Sequence, residues 1–274
     1  MFFHCGSFQF DLSRPLVMGI LNVTPDSFSD GGLHSQRDAA VAHAHQLIAE
    51  GADIIDIGGE STRPGAAPVS VQQELDRVLP VIEKLQDFPV SIDTFKPEVM
   101  TAAIATGVCM VNDINALLDA DAMKAVANSC VAVCLMHKRG NPQTMQMQPE
   151  YQDVVSEVCE FLHARILAAE SAGIARSRIV IDPGFGFGKT LVHNLALLRE
   201  LEKFKQLGVP ILAGLSRKSM LGTLTGQDAA HRLSASVAAA LIAVQRGANI
   251  VRVHDVKATV DALKIWNAIN GEIQ

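Results

Sequence analysis

The chain contains 274 residues, of which 49% are hydrophobic and 5% are aromatic. A chain of this length and aliphatic content can bury a large core, and single α/β barrels often have this size. The formal charge of −6, with no basic run, argues against nucleic acid as a partner, because most of the surface would repel a polyphosphate backbone. A small anion is still allowed, since a few converging cations can form a local positive site.

Secretion signals, membrane spans and disulfides are not expected. The N-terminal segment lacks the basic start and continuous apolar stretch of a secretory signal, and the longest apolar run, residues 237–244, is too short to cross a bilayer. The five cysteines include no C-x-x-C pair, so we expect small core residues with free thiols in a reducing cytoplasm. No membrane partner is predicted.

Short β-branched runs alternate with segments of helical periodicity along the chain, as in parallel strands joined by crossover helices. The predicted strands cover residues 17–23, 52–58, 90–93, 110–114, 131–136, 179–182, 211–215 and 250–253. The predicted helices cover residues 38–50, 71–86, 97–105, 121–127, 152–172, 195–206, 228–246 and 256–270. No linker divides residues 1–274, so one domain is expected. Eight βα units favour a closed (β/α)₈ TIM barrel, with a doubly wound open sheet as the alternative.

Polar residues occupy the ends of nearly all the predicted strands. One polar strand end is more often a helix cap or a turn than a site. In a (β/α)₈ barrel, however, the carboxyl ends of the strands meet at the face where catalytic residues lie. Asp93, Asn112 and Asp182 offer acceptors and amide donors to a flat heterocycle rich in N–H groups.

A second group of strand-end residues is cationic and suits phosphate or carboxylate. Its members are Arg63, Lys218, Arg252 and His254. Strand alternation places Arg252 and His254 on one face, which points either into the barrel mouth or outward to an exposed salt bridge. Together, the two groups predict a heterocyclic substrate and anionic groups.

The glycine-rich run PGFGFGKT, which begins at Pro183, superficially resembles a nucleotide-binding loop. A Walker-type loop needs a glycine where this chain has Pro183, and the glycines of a dinucleotide motif are spaced differently. Neither ATP nor NAD is indicated. The glycines are expected instead to let the backbone and Phe187 approach a ligand closely.

Six ordered segments carry a family resemblance. They are MGILNVTPDSFSDGG from Met18, GGESTRPGA from Gly58, SIDTFKPEV from Ser91, IDPGFGFGK from Ile181, GLSRKSML from Gly214 and RVHDV from Arg252. On these motifs the chain resembles the dihydropteroate synthases, a family of pterin-binding TIM barrels. The resemblance implies condensation of 6-hydroxymethyl-7,8-dihydropterin diphosphate with 4-aminobenzoate, Mg²⁺ as cofactor, and a homodimer.

The resemblance also implies roles for individual residues. Pterin recognition falls to Asp93, Asn112, Asp182 and Lys218, with Asp56 and Met136 nearby. The residues that border the aminobenzoate are Phe187, Lys218 and Ser219. The diphosphate and its Mg²⁺ are held by Asn22, Arg252 and His254. Two loops complete the site, the first with Asp30 and the second with Thr62, Arg63 and Pro64.

The expected chemistry breaks a C–O bond at the pterin methylene and releases diphosphate. Asp30 and Asp93 would offset positive charge on the methylene, while Arg252, His254 and Mg²⁺ would stabilise the departing anion. An aromatic amine is uncharged at neutral pH, so a strong general base is dispensable. A dissociative displacement is favoured, and a concerted one stays open.

Two other functions are weighed against this one. A pterin-dependent methyltransferase domain would share the barrel and the pterin acceptors, but it should lack the paired loop sequences SFSDGG and STRPG, which this chain has. A pterin-binding protein without catalysis is expected to lose Lys218, Arg252 or the first loop, and all three are retained.

Overall fold

Two short strands at the start of the chain form an antiparallel hairpin ahead of the first βα unit. The computed structural model of the chain describes residues 1–24, 33–61, 68–140 and 149–270. The hairpin strands are β1 (Phe2–Cys5) and β2 (Phe8–Asp11). Eight parallel strands follow: β3 (Leu16–Asn22), β4 (Ile54–Gly58), β5 (Val90–Asp93), β6 (Met110–Asp113), β7 (Ala132–Met136), β8 (Ile179–Asp182), β9 (Leu212–Ala213) and β10 (Ile250–Val253).

The eight parallel strands curve into a barrel rather than an open sheet. Their order is β8-β7-β6-β5-β4-β3-β10-β9, so strands that follow each other in sequence lie side by side. A parallel bridge between Ile181 on β8 and Ile211, just before β9, joins the two ends of the sheet. The predicted TIM barrel is therefore confirmed, although β9 is shorter than the five-residue strand predicted at 211–215.

Nine α-helices lie within the described residues. They are α1 (Leu33–Ala49), α2 (Val71–Ile82), α3 (Pro97–Thr106), α4 (Ala120–Ala127), α5 (Val154–Ser171), α6 (Leu191–Arg199), α7 (Ser219–Thr225), α8 (Leu233–Gln245) and α9 (Val256–Ile269). The predicted helix 195–206 is instead α6 followed by a 3₁₀ segment, Leu201–Leu207. The predicted start at 228 is a separate 3₁₀ turn, Ala229–His231, ahead of α8. Helix α7 is too short to give a periodic pattern and was not predicted.

Local sequence explains where the helices begin and end. Ser70 caps α2 by accepting a hydrogen bond from the Gln73 N–H, and the Gln73 side chain accepts one from the Ser70 N–H. Pro97 occupies the first turn of α3, and Gly107 ends that helix in the left-handed region, with φ of 112°.

None of the helices in the described ranges is both long and apolar enough to span a bilayer.

Strand alternation divides the core into two layers. The outward residues, such as Val17, Ile55 and Val111, pack with the helices in one large cluster. The inward residues fill the lower barrel, and they are Leu16, Met18, Ile54, Met110, Ala132, Cys134, Val180, Leu212 and Ile250. Since this interior is packed with side chains, any ligand is confined to the barrel mouth.

The hairpin closes the amino-terminal end of the barrel. Phe3 and Cys5 are fully buried and join the inner cluster, where Cys5 Sγ lies 3.0 Å from Cys109 Sγ. All five cysteines are free, as expected, but Cys130 is exposed and Cys159 is half-buried, so the expectation that all five are core residues is wrong.

We predict that the Phe3 side chain is needed to seal the barrel floor. Phe3→Ala should lower the free energy of unfolding by about 3–5 kcal/mol, because a fully buried aromatic ring leaves a cavity. Urea unfolding measures this loss. The matched control is Phe2→Ala, whose ring is 58% exposed. Equal stability of the two variants would contradict the proposed packing.

Candidate active site

The inward side chains change from apolar to polar near the carboxyl ends of the strands. On β4, the inward residue after Ile54 is Asp56, two positions further along the strand. On β10, the inward residue after Ile250 is Arg252. The same step brings Asn112 on β6, Asp182 on β8 and Asp93 on β5 to the barrel mouth. Alternation of the strands therefore places a polar layer directly on the apolar floor.

Arg252 joins the carboxylates of two other strands. Its Nε donates to Asp56 Oδ2 at 2.5 Å, and its Nη2 donates to Asp93 Oδ2 at 2.6 Å. Asn112 Nδ2 also donates to Asp56 Oδ2, at 2.9 Å. Asp56 is fully buried, and its Oδ1 has no hydrogen-bond partner among the described residues. Arg252 thus faces the barrel interior, and the alternative of an outward salt bridge is wrong.

Asp56 and Asp93 share a single cation, the guanidinium of Arg252. Burial raises the pKa of Asp93 to about 7, since the opposing effect of Arg252 is offset by the neighbouring Asp56 carboxylate. For Arg252, burial lowers the pKa, but Asp56 and Asp93 outweigh this and raise it above the ordinary arginine value. Arg252 is therefore a permanent cation in this layer.

Lys218 and Asp182 form a second polar pair on the other side of the mouth. A side chain at Gly214 would place its first carbon 3.8 Å from both Asp182 Oδ2 and Lys218 Nζ, so the missing side chain leaves space there. Burial lowers the pKa of Lys218 to about 8 against the opposing effect of Asp182, and burial raises the pKa of Asp182. Lys218 Nζ lies 4.8 Å from the centre of the Phe187 ring.

A buried lysine holds the glycine-rich loop after β8. Lys189 Nζ donates to the carbonyls of Gly184 at 2.9 Å, Phe187 at 3.1 Å and His137 at 3.3 Å. Gly184 has a φ of 71°, and a Cβ there would lie 1.9 Å from the His137 carbonyl oxygen, so only glycine fits. The Gly184 N–H donates to Asp182 Oδ1 at 2.7 Å. The loop therefore orients Asp182, a role of Lys189 that the sequence did not reveal.

His254 and Asp255, at the end of β10, are bonded to the turn after β9. Ser216 Oγ lies 3.0 Å from His254 Nδ1, and the Arg217 guanidinium pairs with the Asp255 carboxylate at 3.1 and 2.5 Å. The sequence identified His254 as a candidate site residue but did not predict these pairs, because 38 positions separate the partners.

Asn22 ends β3 close to Asp93. A Cβ at Gly58 would lie 3.8 Å from Asn22 Oδ1 and 3.8 Å from Asp93 Oδ2, so the absence of a side chain leaves the two oxygens facing one space. Within the described ranges, no three His, Cys, Asp or Glu side chains are grouped so as to hold a metal ion. A cation at this point would need oxygen ligands from a substrate as well.

The structure brings most of the predicted site residues together and leaves some untested. Met136 is buried on β7, opposite Asp182 in the parallel register. Ser219 is exposed at the first position of α7. Four predicted residues lie outside the described residues: Asp30, Thr62, Arg63 and Pro64.

The described residues on either side of 62–67 are held by Lys96. Its Nζ donates to Glu60 Oε2 at 2.7 Å, to the Val69 carbonyl at 2.6 Å and to Glu74 Oε2 at 2.6 Å. Lys96 belongs to the segment SIDTFKPEV, but the sequence did not predict this contact.

Comparisons with known proteins identify one family of enzymes. The family model described as pterin binding enzyme matches residues 18–254. Dihydropteroate synthase of Escherichia coli (strain K12) is 53% identical over 261 residues, which cover 94% of this chain and 93% of that protein.

Two solved structures from Xanthomonas albilineans are also similar. One is a dihydropteroate synthase with 4-aminobenzoic acid, with a TM-score of 0.93, 55% identity and 98% of each chain covered. The other is a dihydropteroate synthase in complex with 7,8-dihydropteroate, with a TM-score of 0.91, 52% identity and 99% of each chain covered. The chain belongs to the dihydropteroate synthase family of pterin-binding enzymes.

We predict that the Asp93 carboxyl in the free enzyme titrates near pH 7, far above its ordinary value of 3.8. A raised pKa favours the protonated carboxyl in the folded chain. The resulting stabilisation is therefore greatest below pH 3.8 and is lost as the pH rises through about 7. Carbon NMR of aspartate-labelled protein measures the titration, and Asp93→Asn assigns the signal. A midpoint near 4 would contradict the conclusion that burial and the Asp56 charge outweigh the effect of Arg252 on the pKa of Asp93.

Proposed function

We propose that the chain joins 6-hydroxymethyl-7,8-dihydropterin diphosphate to 4-aminobenzoate, giving 7,8-dihydropteroate and diphosphate. The observation that carries this proposal is the polar layer of the barrel mouth. Asp93, Asn112 and Asp182 present carboxylate and amide groups over an apolar floor, next to the cations Arg252 and Lys218. The ligands of the two Xanthomonas albilineans relatives support the same pair of substrates.

The acceptors suit the edge of a pterin ring. A pterin carries several ring and exocyclic N–H groups and one carbonyl, and buried carboxylates bind such donors in preference to water. Asp182 is already oriented by the Gly184 N–H, and Lys218 nearby is the donor for a carbonyl or ring nitrogen. Phe187, which lies against Lys218, is placed to border the aminobenzoate ring.

The reaction needs charge stabilisation more than a nucleophilic side chain. The C–O bond to diphosphate breaks, the amine nitrogen bonds to the methylene carbon, and the nitrogen then loses a proton to water. The ionised form of Asp93 offsets positive charge at the methylene, and Asp30 would add to this effect. Nε and Nη2 of Arg252 are bonded to carboxylates, whereas Nη1 has no partner among the described residues and is available to an anion. His254, the residue after β10, is the second cationic or donor group at this end.

Mg²⁺ fits the oxygen-rich space between Asn22 and Asp93. Mg²⁺ prefers oxygen ligands and commonly uses one or two protein groups together with substrate phosphates, so Asn22 Oδ1 is a sufficient protein ligand. When bound, the ion would neutralise charge on the diphosphate. Arg252 and His254 would stabilise the same negative charge on the diphosphate.

A direct assay tests the proposed activity. Purified protein, both substrates and Mg²⁺ should yield diphosphate and dihydropteroate in equal amounts, detected by enzymatic release of phosphate and by chromatography. Omission of 4-aminobenzoate is the control. A protein that binds the pterin and forms neither product would contradict catalysis and favour a binding function.

We predict that Arg252→Ala lowers the single-turnover rate by on the order of 10²-fold or more, because one charged donor to the leaving group is lost. Binding of a pterin analogue should weaken less. The variant should also lose stability by about 3–5 kcal/mol, since Asp56 and Asp93 lose their cation, so folding must be verified by circular dichroism. Arg252→Lys keeps the charge and serves as the second variant. A wild-type rate in folded Arg252→Ala would eliminate the role.

We predict that Asn22→Ala raises the Mg²⁺ concentration needed for half-maximal activity by roughly 10–100-fold, as expected for loss of a group that places the ion. Calorimetry of diphosphate binding with and without Mg²⁺ gives a readout independent of turnover. Asn22→Asp, which retains an oxygen ligand, is the matched control. Equal Mg²⁺ dependence in Asn22→Ala and wild type would remove Asn22 from the metal site.

The homodimer implied by the resemblance stays a prediction. On the small-residue helix α8, Ala239, Ala240 and Ala243 are buried in the core of the chain itself. Leu233 and Ile242 on the same helix are exposed, at 45% and 43%. We propose that these outer apolar residues contribute to the contact between protomers.

A further inference from the structure

Ser216 makes two contacts with one histidine. Its Oγ lies 3.2 Å from the His254 backbone nitrogen and 3.0 Å from His254 Nδ1. Ser216 is only 7% exposed and lies on the turn that follows β9, whereas His254 follows β10. The two contacts therefore fix one imidazole ring relative to the backbone of its own strand.

The two contacts favour one arrangement of protons, in which the Ser216 hydroxyl donates to Nδ1. The backbone N–H of His254 can only donate, so it uses a lone pair of the Ser216 oxygen. The serine hydroxyl retains its own proton, and across the described part of the chain Nδ1 is the acceptor within reach. With Nδ1 as the acceptor of the hydroxyl proton, a neutral imidazole carries its own proton on Nε2.

The surrounding contacts hold this serine in place. Arg217, the next residue, has a φ of 57°, which a non-glycine residue adopts only when its surroundings require it. Its N–H donates to Ser236 Oγ at 2.9 Å, and its guanidinium pairs with Asp255, the residue after His254. The pairs Ser216–His254 and Arg217–Asp255 thus lie side by side between two adjacent strand ends.

We propose that Ser216 is a positioning residue, which holds the His254 ring with Nε2–H as the donor toward the diphosphate. This inference rests on the role of His254 in the proposed function. In this tautomer the neutral ring donates to an anionic oxygen. With the proton on Nδ1 instead, Nε2 would present a lone pair to the same oxygen and repel it.

The tautomer is measured directly by long-range nitrogen–proton NMR of histidine-labelled protein. His254→Gln identifies the signal among the nine histidines of the chain. In the limit of high pH, wild type should show a protonated Nε2 and an unprotonated Nδ1. Ser216→Ala should show a mixture of the two tautomers, and Ser216→Thr, which keeps the hydroxyl, should restore the wild-type pattern.

Single-turnover rates give the second readout. Ser216→Ala should be slower by on the order of 10-fold with little change in KM for 4-aminobenzoate, as expected for a donor at the departing group. The matched control is Ser91→Ala, which removes a fully buried hydroxyl on β5 that has no hydrogen-bond partner among the described residues and does not touch His254. Its rate and its His254 spectrum should remain those of wild type.

Two results would overturn the proposal: a protonated Nδ1 in neutral wild-type His254, or an unchanged His254 spectrum in folded Ser216→Ala. Failure of the proposed function is distinguishable. If His254→Gln turns over at the wild-type rate, His254 has no role in catalysis, and the spectra alone then decide whether Ser216 sets its tautomer.

Discussion

The structure depends on a single ion-pair arrangement at the centre of the barrel. Asp56 is a fully buried carboxylate, and a buried charge is stable only when a partner cation and hydrogen bonds replace water. That cation is Arg252, which reaches from β10 across β3 to β4 and then to Asp93 on β5. Four neighbouring strands are therefore fixed relative to one another at the height of the polar layer.

The same ion pairs fix the orientations of the side chains on one side of the barrel mouth. Because the Nε and Nη2 of Arg252 are used by Asp56 and Asp93, and Asn112 donates to Asp56, these side chains have fixed orientations before any ligand binds. The heterocycle then meets groups that need little rearrangement, which lowers the entropic cost of binding. On the opposite side, Lys189 fixes the loop that orients Asp182.

Much of this architecture could be predicted from the sequence, because parallel barrel strands are short apolar runs and their polar ends must meet at one face. All eight barrel strands occur close to their predicted positions. The hairpin was missed, since two four-residue strands around the turn at Gly6 carry little periodic signal. The sequence could not predict whether the Arg252 side chain points inward or outward either. Strand alternation allows both faces, and only the positions of Asp56 and Asp93 in the fold decide between them.

Contacts between distant residues were the least predictable part of the site. Lys189 Nζ contacts one side-chain atom, His137 Nδ1, at 3.0 Å, but its other bonds go to backbone carbonyls, which have the same chemistry in every residue and leave no mark in the sequence. Ser216 and His254 meet only because β9 and β10 are neighbours in the barrel. Lys189 and Ser216 lie within the segments IDPGFGFGK and GLSRKSML, but the contacts that they make follow only from the fold.

A double-mutant cycle with Asp56→Asn and Arg252→Lys tests the central claim most directly. If Asp56 acts by holding Arg252, Asp56→Asn should slow single turnover strongly in the wild-type background and little in the Arg252→Lys background. The predicted coupling is at least about 1.4 kcal/mol, a tenfold departure from additivity. Additive effects of the two substitutions would show that the two residues act independently and would contradict the account.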